Sequence, residues 1–150
     1  MCGITGFAER SHQADEARAI VKKMADLIAY RGPDGEGYFV DDQVALGHRR
    51  LSIIDLEGGS QPMYNEDGNL VVIYNGEIYN YQDLRAELLA VGHTFATQSD
   101  TEVLLHGYEE WGDALPARLR GMFIFVIWDR SAKTLFGARD IFGIKPFYYY

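Results

Sequence analysis

The chain has 150 residues, of which 47% are hydrophobic and 24% are charged; this composition is typical of one globular domain and too apolar for a disordered chain. Its 14 basic and 22 acidic residues leave a formal net charge of −8, which argues against a nucleic-acid or anionic-membrane partner. No apolar run is long enough to span a membrane, no signal peptide is evident, and the single cysteine excludes an internal disulfide, so we expect a cytoplasmic protein.

The order of the predicted elements indicates an α+β fold. Apolar residues at three- and four-residue steps predict helices at about 15–29 and 82–91, and a third helix begins after Ser99, which forms a capping box with Glu102. A short helical piece is expected at 114–119, and the glycine-rich segment 31–37 predicts a loop that neither helix nor strand crosses. Many strands form hairpins and the helices fall in two groups, which predicts antiparallel sheets covered by helices. The predicted strands are 2–8, 38–40, 44–54, 70–74, 122–128, 134–138 and 146–150.

The only cysteine is the second residue of the chain. A small residue at this position permits removal of Met1, which would leave Cys2 with a free α-amine beside its thiol. The ordinary pKa values of these groups, about 7.7–8.0 and about 8.5, lie close to working pH, and an N-terminal amine can act as base for its own side chain. A cysteine beside the start codon can also arise by chance. Gly3 and Gly6 flank the start of the strand and favour close approach of a ligand, and hence the catalytic interpretation.

Asn75 and Gly76 follow an apolar strand and allow two interpretations. An Asn-Gly pair between apolar residues is typical of a two-residue hairpin turn. However, the residues beyond Gly76 drift into helical spacing and do not form a convincing return strand. The alternative is an oxyanion hole made of the Asn75 side-chain amide and the Gly76 N–H, the two donors that acyl transfer from an amide requires.

Three charged residues are candidates for binding the two ends of an amino acid. Arg50, fixed on a predicted strand, is suited to hold a carboxylate through a two-pronged ion pair. The alternative is a solvent-facing basic pair, and this is the interpretation we prefer for its neighbour Arg49. Asp100, in the first turn of a helix, is suited to accept a substrate ammonium beside Glu77, although a carboxylate is also stabilised there by the helix dipole.

The sequence offers little support for a metal or nucleotide site. Glu102 and His106 lie four residues apart on one helix, but two ligands do not make a metal site. Phosphate-binding glycine motifs are absent. The four histidines are not expected to cluster, and we expect no metal; they are His12, His48, His93 and His106.

Taken together, these segments closely resemble the class II glutamine amidotransferase domain of glutamine-hydrolysing asparagine synthetases. The resemblance extends over the whole chain in the same order. Amidotransferases of sugar phosphates and of the purine pathway share the start, but usually differ at 31–35 and 74–80. The matching stretches are Met-Cys-Gly-Ile-Thr-Gly at 1–6, Arg-Gly-Pro-Asp-Gly at 31–35, and 50–55, 61–63, 74–80, 99–102, 121–123, 138–140 and 143–146.

The resemblance implies an N-terminal-nucleophile hydrolase fold, an αββα sandwich of two antiparallel sheets between helix layers. It implies that Cys2 attacks the glutamine side-chain amide and that Asn75 and Gly76 stabilise the oxyanion. It also implies that Arg50 binds the glutamine α-carboxylate, while the two candidate carboxylates bind its α-ammonium. No cofactor is implied for this domain, whereas ATP and Mg²⁺ are expected in a C-terminal synthetase domain that uses the ammonia to convert aspartate to asparagine.

That synthetase domain is not represented in residues 1–150, and the chain stops on tyrosines within the last predicted strand. We therefore expect one glutaminase domain that is incomplete at its C-terminus, with glutamine and the synthetase domain as partners and a homodimer as a candidate assembly. Three alternatives remain open: a similar amidotransferase with another ammonia acceptor, a non-catalytic docking module of the same fold, and an N-terminal-nucleophile hydrolase of other amides.

Overall fold

The computed structural model describes residues 2–8, 13–51 and 59–150. Short 3-10 turns at Ala29–Arg31 and Gly112–Ala114 accompany the main elements. The strands are β1 (Gly3–Ala8), β2 (Gly35–Val40), β3 (Val44–Arg50), β4 (Met63–Tyr64), β5 (Leu70–Ile78), β6 (Gly121–Asp129) and β7 (Thr134–Arg139). The helices are α1 (Ala14–Leu27), α2 (Tyr81–Ala90), α3 (Asp100–Trp111) and α4 (Leu115–Arg118).

The first sheet has three antiparallel strands in the order β1-β3-β2. Its central strand β3 pairs Gly3 with Arg49 on one side and Gly35 with Arg50 on the other. Helix α1 covers one face of this sheet, where buried Ala17 and Val21 pack against the strand. The N-terminal residues of the chain therefore lie beside the end of β3.

The second sheet has four antiparallel strands in the order β4-β5-β6-β7. Its two long strands, β5 and β6, are apolar and largely buried because both of their faces are covered. On one face they pack against α2 and α3, with fully buried Leu88, Leu104 and Phe125 in the shared core. The continuous apolar run of β6 follows from burial of both faces, one against these helices and the other against the first sheet.

The other face of the second sheet packs on the first sheet. The inter-sheet core contains Leu46 from β3, Ile73 from β5 and Val126 from β6. The layers thus run α1, first sheet, second sheet, then α2 with α3, which confirms the predicted α+β sandwich of two antiparallel sheets between helices. Within the described ranges, no helix is both long enough and apolar enough to cross a membrane.

Two predicted boundaries and one predicted strand are wrong. The segment 31–37 is not entirely loop, because a 3-10 turn includes Arg31 and β2 already begins at Gly35, where its backbone pairs with Arg50. Strand β5 continues to Ile78, four residues beyond its predicted end. Residues 146–150 form no strand; Pro146 lacks the N–H needed for a ladder. The predicted continuation of β3 over 52–54 lies outside the described residues.

The predicted capping box at the start of α3 is only half formed. The Ser99 hydroxyl accepts a hydrogen bond from Thr101 N at 3.2 Å, as expected for an N-cap. The Glu102 carboxylate does not reach back to Ser99 N, which donates instead to the Thr97 hydroxyl. Glu102 accepts from Ala96 N at 2.7 Å and from Thr97 N at 2.8 Å, so it ties the preceding loop to the helix.

Candidate active site

All six predicted site residues line one pocket where the two sheets meet. The empty space in this pocket amounts to about 610 Å³, a volume that includes open solvent. Cys2 and Arg50 come from the ends of β1 and β3, and Asp100 is the first residue of α3. The β5 residues Asn75, Gly76 and Glu77 complete the predicted set.

The Cys2 side chain is held beside the backbone that follows β3. Leu51 N donates to Cys2 Sγ at 3.3 Å, and the thiol lies 3.6 Å from the Leu51 carbonyl oxygen. On the other side, the Arg31 guanidinium donates to the Cys2 carbonyl oxygen at 3.2 Å. The half-buried thiol is therefore fixed next to Arg50. Met1, whose removal we expect, lies outside the described residues.

Asn75 and Gly76 lie within β5, so the hairpin-turn interpretation is wrong. Gly76 pairs with Phe123 of β6 in the antiparallel ladder. A Cβ atom at Gly76 would collide with the Met122 carbonyl oxygen and lie 2.7 Å from Phe123 Cα. Only glycine fits this close approach of two strands. The buried Asn75 side chain belongs to the same pocket, so an amide donor and a backbone amide occupy consecutive positions.

Asp100 is a buried carboxylate with two fixed donors. Its Oδ2 accepts from the Tyr74 hydroxyl at 2.7 Å and from Ile78 N at 3.1 Å. Burial raises the pKa of Asp100 above its usual value; the two hydrogen bonds oppose that shift and the nearby Glu77 charge adds to it. Burial also raises the pKa of Tyr74, further increased by the Asp100 carboxylate. The Asp100 carboxyl and the Tyr74 hydroxyl, both with raised pKa values, thus lie on the same side of the pocket.

Two further pocket residues were not selected from the sequence as site residues. Gln61 Oε1 accepts from Tyr74 N at 2.6 Å, and its Nε2 donates to Thr101 Oγ1 at 3.4 Å, so this side chain joins β5 to α3. Lys145 is only 2% exposed and also lines the pocket; its backbone N–H donates to Asp140 Oδ2 at 3.0 Å. The Gln-Pro-Met stretch at 61–63 and the Gly-Ile-Lys-Pro stretch at 143–146 were the available signals.

The residues that precede Arg50 have structural roles. The Arg49 side chain is 13% exposed and forms ion pairs with Asp26 and Glu36, so the prediction of a solvent-facing side chain is wrong. These contacts join α1 and β2 to β3. Buried His48 Nε2 lies 3.2 Å from the Tyr74 carbonyl oxygen. Burial lowers the pKa of His48 to about 4, so its ring is neutral at neutral pH.

The prediction that the histidines do not cluster is also wrong. The rings of His93 and His106 lie 5.1 Å apart, centroid to centroid. His93 belongs to the segment between α2 and α3, and the packing of these two helices brings it against α3. His12 lies outside the described residues.

The pocket combines the parts needed for nucleophilic attack on an amide. It contains one thiol, two neighbouring hydrogen-bond donors, and charged groups of both signs. The basic residues are Arg50 and Lys145, and the carboxylates are those of Glu77 and Asp100. Charges of opposite sign at separate points match a zwitterion such as a free amino acid.

Comparison with known proteins extends over the whole chain. Residues 1–150 match the family model described as the glutamine amidotransferase domain. The asparagine synthetase [glutamine-hydrolyzing] 1 of Bacillus subtilis is 51% identical over 99% of this chain, and this match covers 24% of that protein. A probable asparagine synthetase of Dictyostelium discoideum is 40% identical over 99% of this chain and 27% of its own length. The chain thus spans about a quarter of these curated relatives.

Two solved structures share the fold. An allosteric regulatory enzyme of purine biosynthesis superposes with a TM-score of 0.68 at 22% identity, covering 87% of this chain and 36% of that one. Glutamine phosphoribosylpyrophosphate amidotransferase from B. subtilis gives 0.64 at 23% identity, covering 86% and 35%. These similarities show that the two proteins share the fold of this chain. Because the family match covers every residue, the chain belongs to the glutamine amidotransferase domain family.

Proposed function

We propose that this domain hydrolyses glutamine to glutamate and ammonia, with Cys2 as the nucleophile. The observation that carries the proposal is that Cys2, Asn75 and Gly76 line one pocket together with basic and acidic side chains. The active form has lost Met1, because only then does the Cys2 nitrogen become a basic amine instead of an amide.

The reaction begins with attack of Cys2 Sγ on the side-chain carbonyl carbon of glutamine. The thiol proton passes to the Cys2 α-amine, and the C–S bond forms as the carbonyl oxygen becomes an oxyanion. Asn75 Nδ2–H and Gly76 N–H donate to this oxyanion. The C–N bond then breaks, the departing nitrogen takes the proton from the α-ammonium, and ammonia leaves a thioester. Water attacks the thioester with the amine as base, and glutamate is released with a free thiol.

Substrate selection rests on the charges at the other end of the pocket. Arg50 binds the α-carboxylate of glutamine, while Glu77 and Asp100 bind its α-ammonium. The two hydrogen bonds that Asp100 accepts favour its charged form against the effect of burial. An amide that lacks the carboxylate or the ammonium cannot pair with the charged groups of both signs and binds weakly.

We further propose that the ammonia is used by another part of a longer polypeptide to convert aspartate to asparagine. The printed names of the relatives, glutamine-hydrolysing asparagine synthetases, support this acceptor. ATP and Mg²⁺ would be bound by that synthetase part, in a cytoplasmic and homodimeric enzyme. The glutaminase chemistry requires no cofactor. An amidotransferase with another acceptor would have the same pocket and a different synthetase part.

The test uses the full-length protein with Met1 removed, as verified by intact mass. Incubation with glutamine should release glutamate, and Cys2→Ala should abolish that release while leaving synthesis from added ammonia intact. Full glutamine-dependent activity in Cys2→Ala would instead favour the non-catalytic docking module. Absence of any Cys2-dependent glutamate release from the processed protein contradicts the proposal.

The choice of glutamine over other amides is tested at Arg50. Arg50→Ala should raise the KM for glutamine strongly, because the substrate carboxylate loses its charged partner. Arg120→Ala, outside this pocket, is the control and should leave the KM unchanged. If KM is indifferent to Arg50→Ala, the domain is an amide hydrolase of other substrates.

A further inference from the structure

Two histidines and a glutamate meet on α3, away from the glutamine pocket. His106 lies about 9 Å along the helix from Asp100, and His93 reaches it from the loop after α2. With Glu109, each side chain offers one ligand atom, and these atoms lie within 4.8 Å of one another. Nothing in the proposed glutaminase mechanism uses this cluster.

The distances from Glu109 Oε2 to the two ring nitrogens suit a tetrahedral ion. Glu109 Oε2 lies 2.9 Å from His106 Nδ1 and 3.5 Å from His93 Nδ1. Ligands bound to zinc at about 2.0–2.1 Å in a tetrahedron lie roughly 3.3 Å apart. The second Glu109 oxygen accepts from Asn65 Nδ2 at 2.7 Å, which orients Oε2 toward the two rings.

The other nitrogen of each ring faces a carboxylate. His106 Nε2 is buried and has no hydrogen-bond partner among the described residues; it lies 3.7 Å from Glu102 Oε1 and 3.9 Å from Glu66 Oε1. His93 Nε2 lies 3.4 Å from Glu110 Oε2. A metal on Nδ1 places the ring proton on Nε2, toward these acceptors. Carboxylates in this position orient metal-binding histidines and increase their basicity.

We propose that His93, His106 and Glu109 bind one Zn²⁺ ion, with water as the fourth ligand. Two imidazoles and one carboxylate are a ligand set that zinc favours. The side chains of His93 and Glu109 are 18% and 26% exposed, which leaves room for water and a path for the ion. The bound ion would join the loop after α2 to α3 and stabilise the helix that carries Asp100.

The negative charge around the two histidine rings favours binding of a cation. The carboxylates of Glu66, Glu102, Glu109 and Glu110 lie around the two rings. The competing cation is the proton: burial lowers the pKa of His106, but the Glu109 hydrogen bond and the neighbouring carboxylates outweigh it and raise the pKa. Zinc must displace that proton, so its affinity falls at acid pH.

The test measures zinc binding to the full-length protein in a Cys2→Ala background, because a free thiol is itself a zinc ligand. Calorimetry at neutral pH should show that one equivalent of zinc binds when His93, His106 and Glu109 are unchanged. His93→Ala and Glu109→Gln, both at partly exposed positions, should each weaken that affinity by about 10–100-fold or more. Co²⁺ in place of zinc should give the strong visible absorption of a tetrahedral complex, and this absorption should be lost in both variants.

Glu16→Gln on α1 is the matched control: it removes the same charge on the opposite side of the sandwich and should leave zinc affinity unchanged. Circular dichroism verifies that every variant is folded. Undiminished zinc binding in both His93→Ala and Glu109→Gln places the ion elsewhere and overturns the proposal. Failure of the Cys2→Ala protein to bind zinc also overturns it. Glutamine hydrolysis is measured separately, in the protein that retains Cys2. Failure of the zinc proposal can therefore be distinguished from failure of the glutaminase proposal.

Discussion

Asp100→Asn should lower affinity for glutamine without lowering the stability of the fold. The asparagine has the same shape, and its Oδ1 can accept the hydrogen bonds that Tyr74 and Ile78 now donate to the carboxylate. What it lacks is the negative charge. That charge is costly to bury, since the raised pKa of Asp100 means that folding disfavours its charged form relative to the unfolded chain. The charge is retained, in our proposal, because the substrate ammonium needs it.

The expected magnitudes follow from these contacts. A hydrogen bond to a charged group contributes about 1.5–3 kcal/mol, so KM should rise about 10- to 150-fold. The kcat should change little, because the ammonium is bound equally in the ground and transition states. For stability, a raised pKa in the folded state means that Asp100 contributes fully to the free energy of unfolding below its unfolded-state pKa of about 3.9. This contribution is lost as pH rises through the folded-state pKa. The variant should therefore gain stability relative to the wild type as pH rises from about 4 to neutral.

Steady-state kinetics with glutamine and urea unfolding at acid and neutral pH measure both effects in the same protein. Asp113→Asn, at an exposed position beyond α3, removes the same charge outside the pocket and should change neither KM nor the pH dependence of unfolding. An unchanged KM in Asp100→Asn refutes the ammonium-binding role. A large loss of stability at neutral pH refutes the inference that the buried charge is costly.

Three further changes test the nucleophile and the oxyanion donors. Asn75→Ala should lower kcat about 10²–10³-fold with little effect on the KM for glutamine; a pure rise in KM would contradict the oxyanion role. Gly76→Ala should lower the free energy of unfolding by about 1–3 kcal/mol in urea denaturation, because its Cβ meets the neighbouring strand, whereas Gly35→Ala, with only a 3.7 Å contact to Arg50 Cβ, should not. An uncleaved N-terminal extension before Cys2 should abolish glutamate release and leave ammonia-dependent synthesis intact; retained glutaminase activity would show that the free α-amine is not the base.

Local patterns were sufficient for most of the fold. The 3.6-residue period of α1 and the apolar run of β6 each predict their element, since burial of one face or of both faces leaves a direct trace in the sequence. The same patterns fail where pairing overrides local preference. Asn75-Gly76 is typical of a turn, but its pairing with β6 in the ladder extends β5 by four residues. A partner strand that is distant in the sequence leaves no local signal in the residues whose extended conformation it stabilises.

The candidate site was predictable as a set of residues but not as a geometry. The thiol at the N-terminus and the Asn-Gly pair carry recognisable chemistry, and the resemblance adds Arg50, Glu77 and Asp100. Local spacing cannot show that Gln61 bridges β5 to α3 or that Lys145 is buried at the pocket. His93 and His106 come together for a similar reason, because the contact depends on how α2 packs on α3. Side chains far apart in sequence acquire a common environment only through tertiary packing.

The packing of the two sheets sets the distance between the proposed nucleophile and the proposed oxyanion donors. Cys2 is carried by the first sheet, whereas Asn75 belongs to the second, and the buried bond between His48 Nε2 and the Tyr74 carbonyl oxygen crosses from one sheet to the other immediately before Asn75. The lowered pKa of His48 keeps this ring uncharged, so the inter-sheet contact does not change with protonation near neutral pH. Since a displacement of about 1 Å can cost roughly 10²-fold in rate, we expect substitutions in the inter-sheet core around Ile73 to lower the rate of the proposed reaction, although Ile73 is not among the pocket residues.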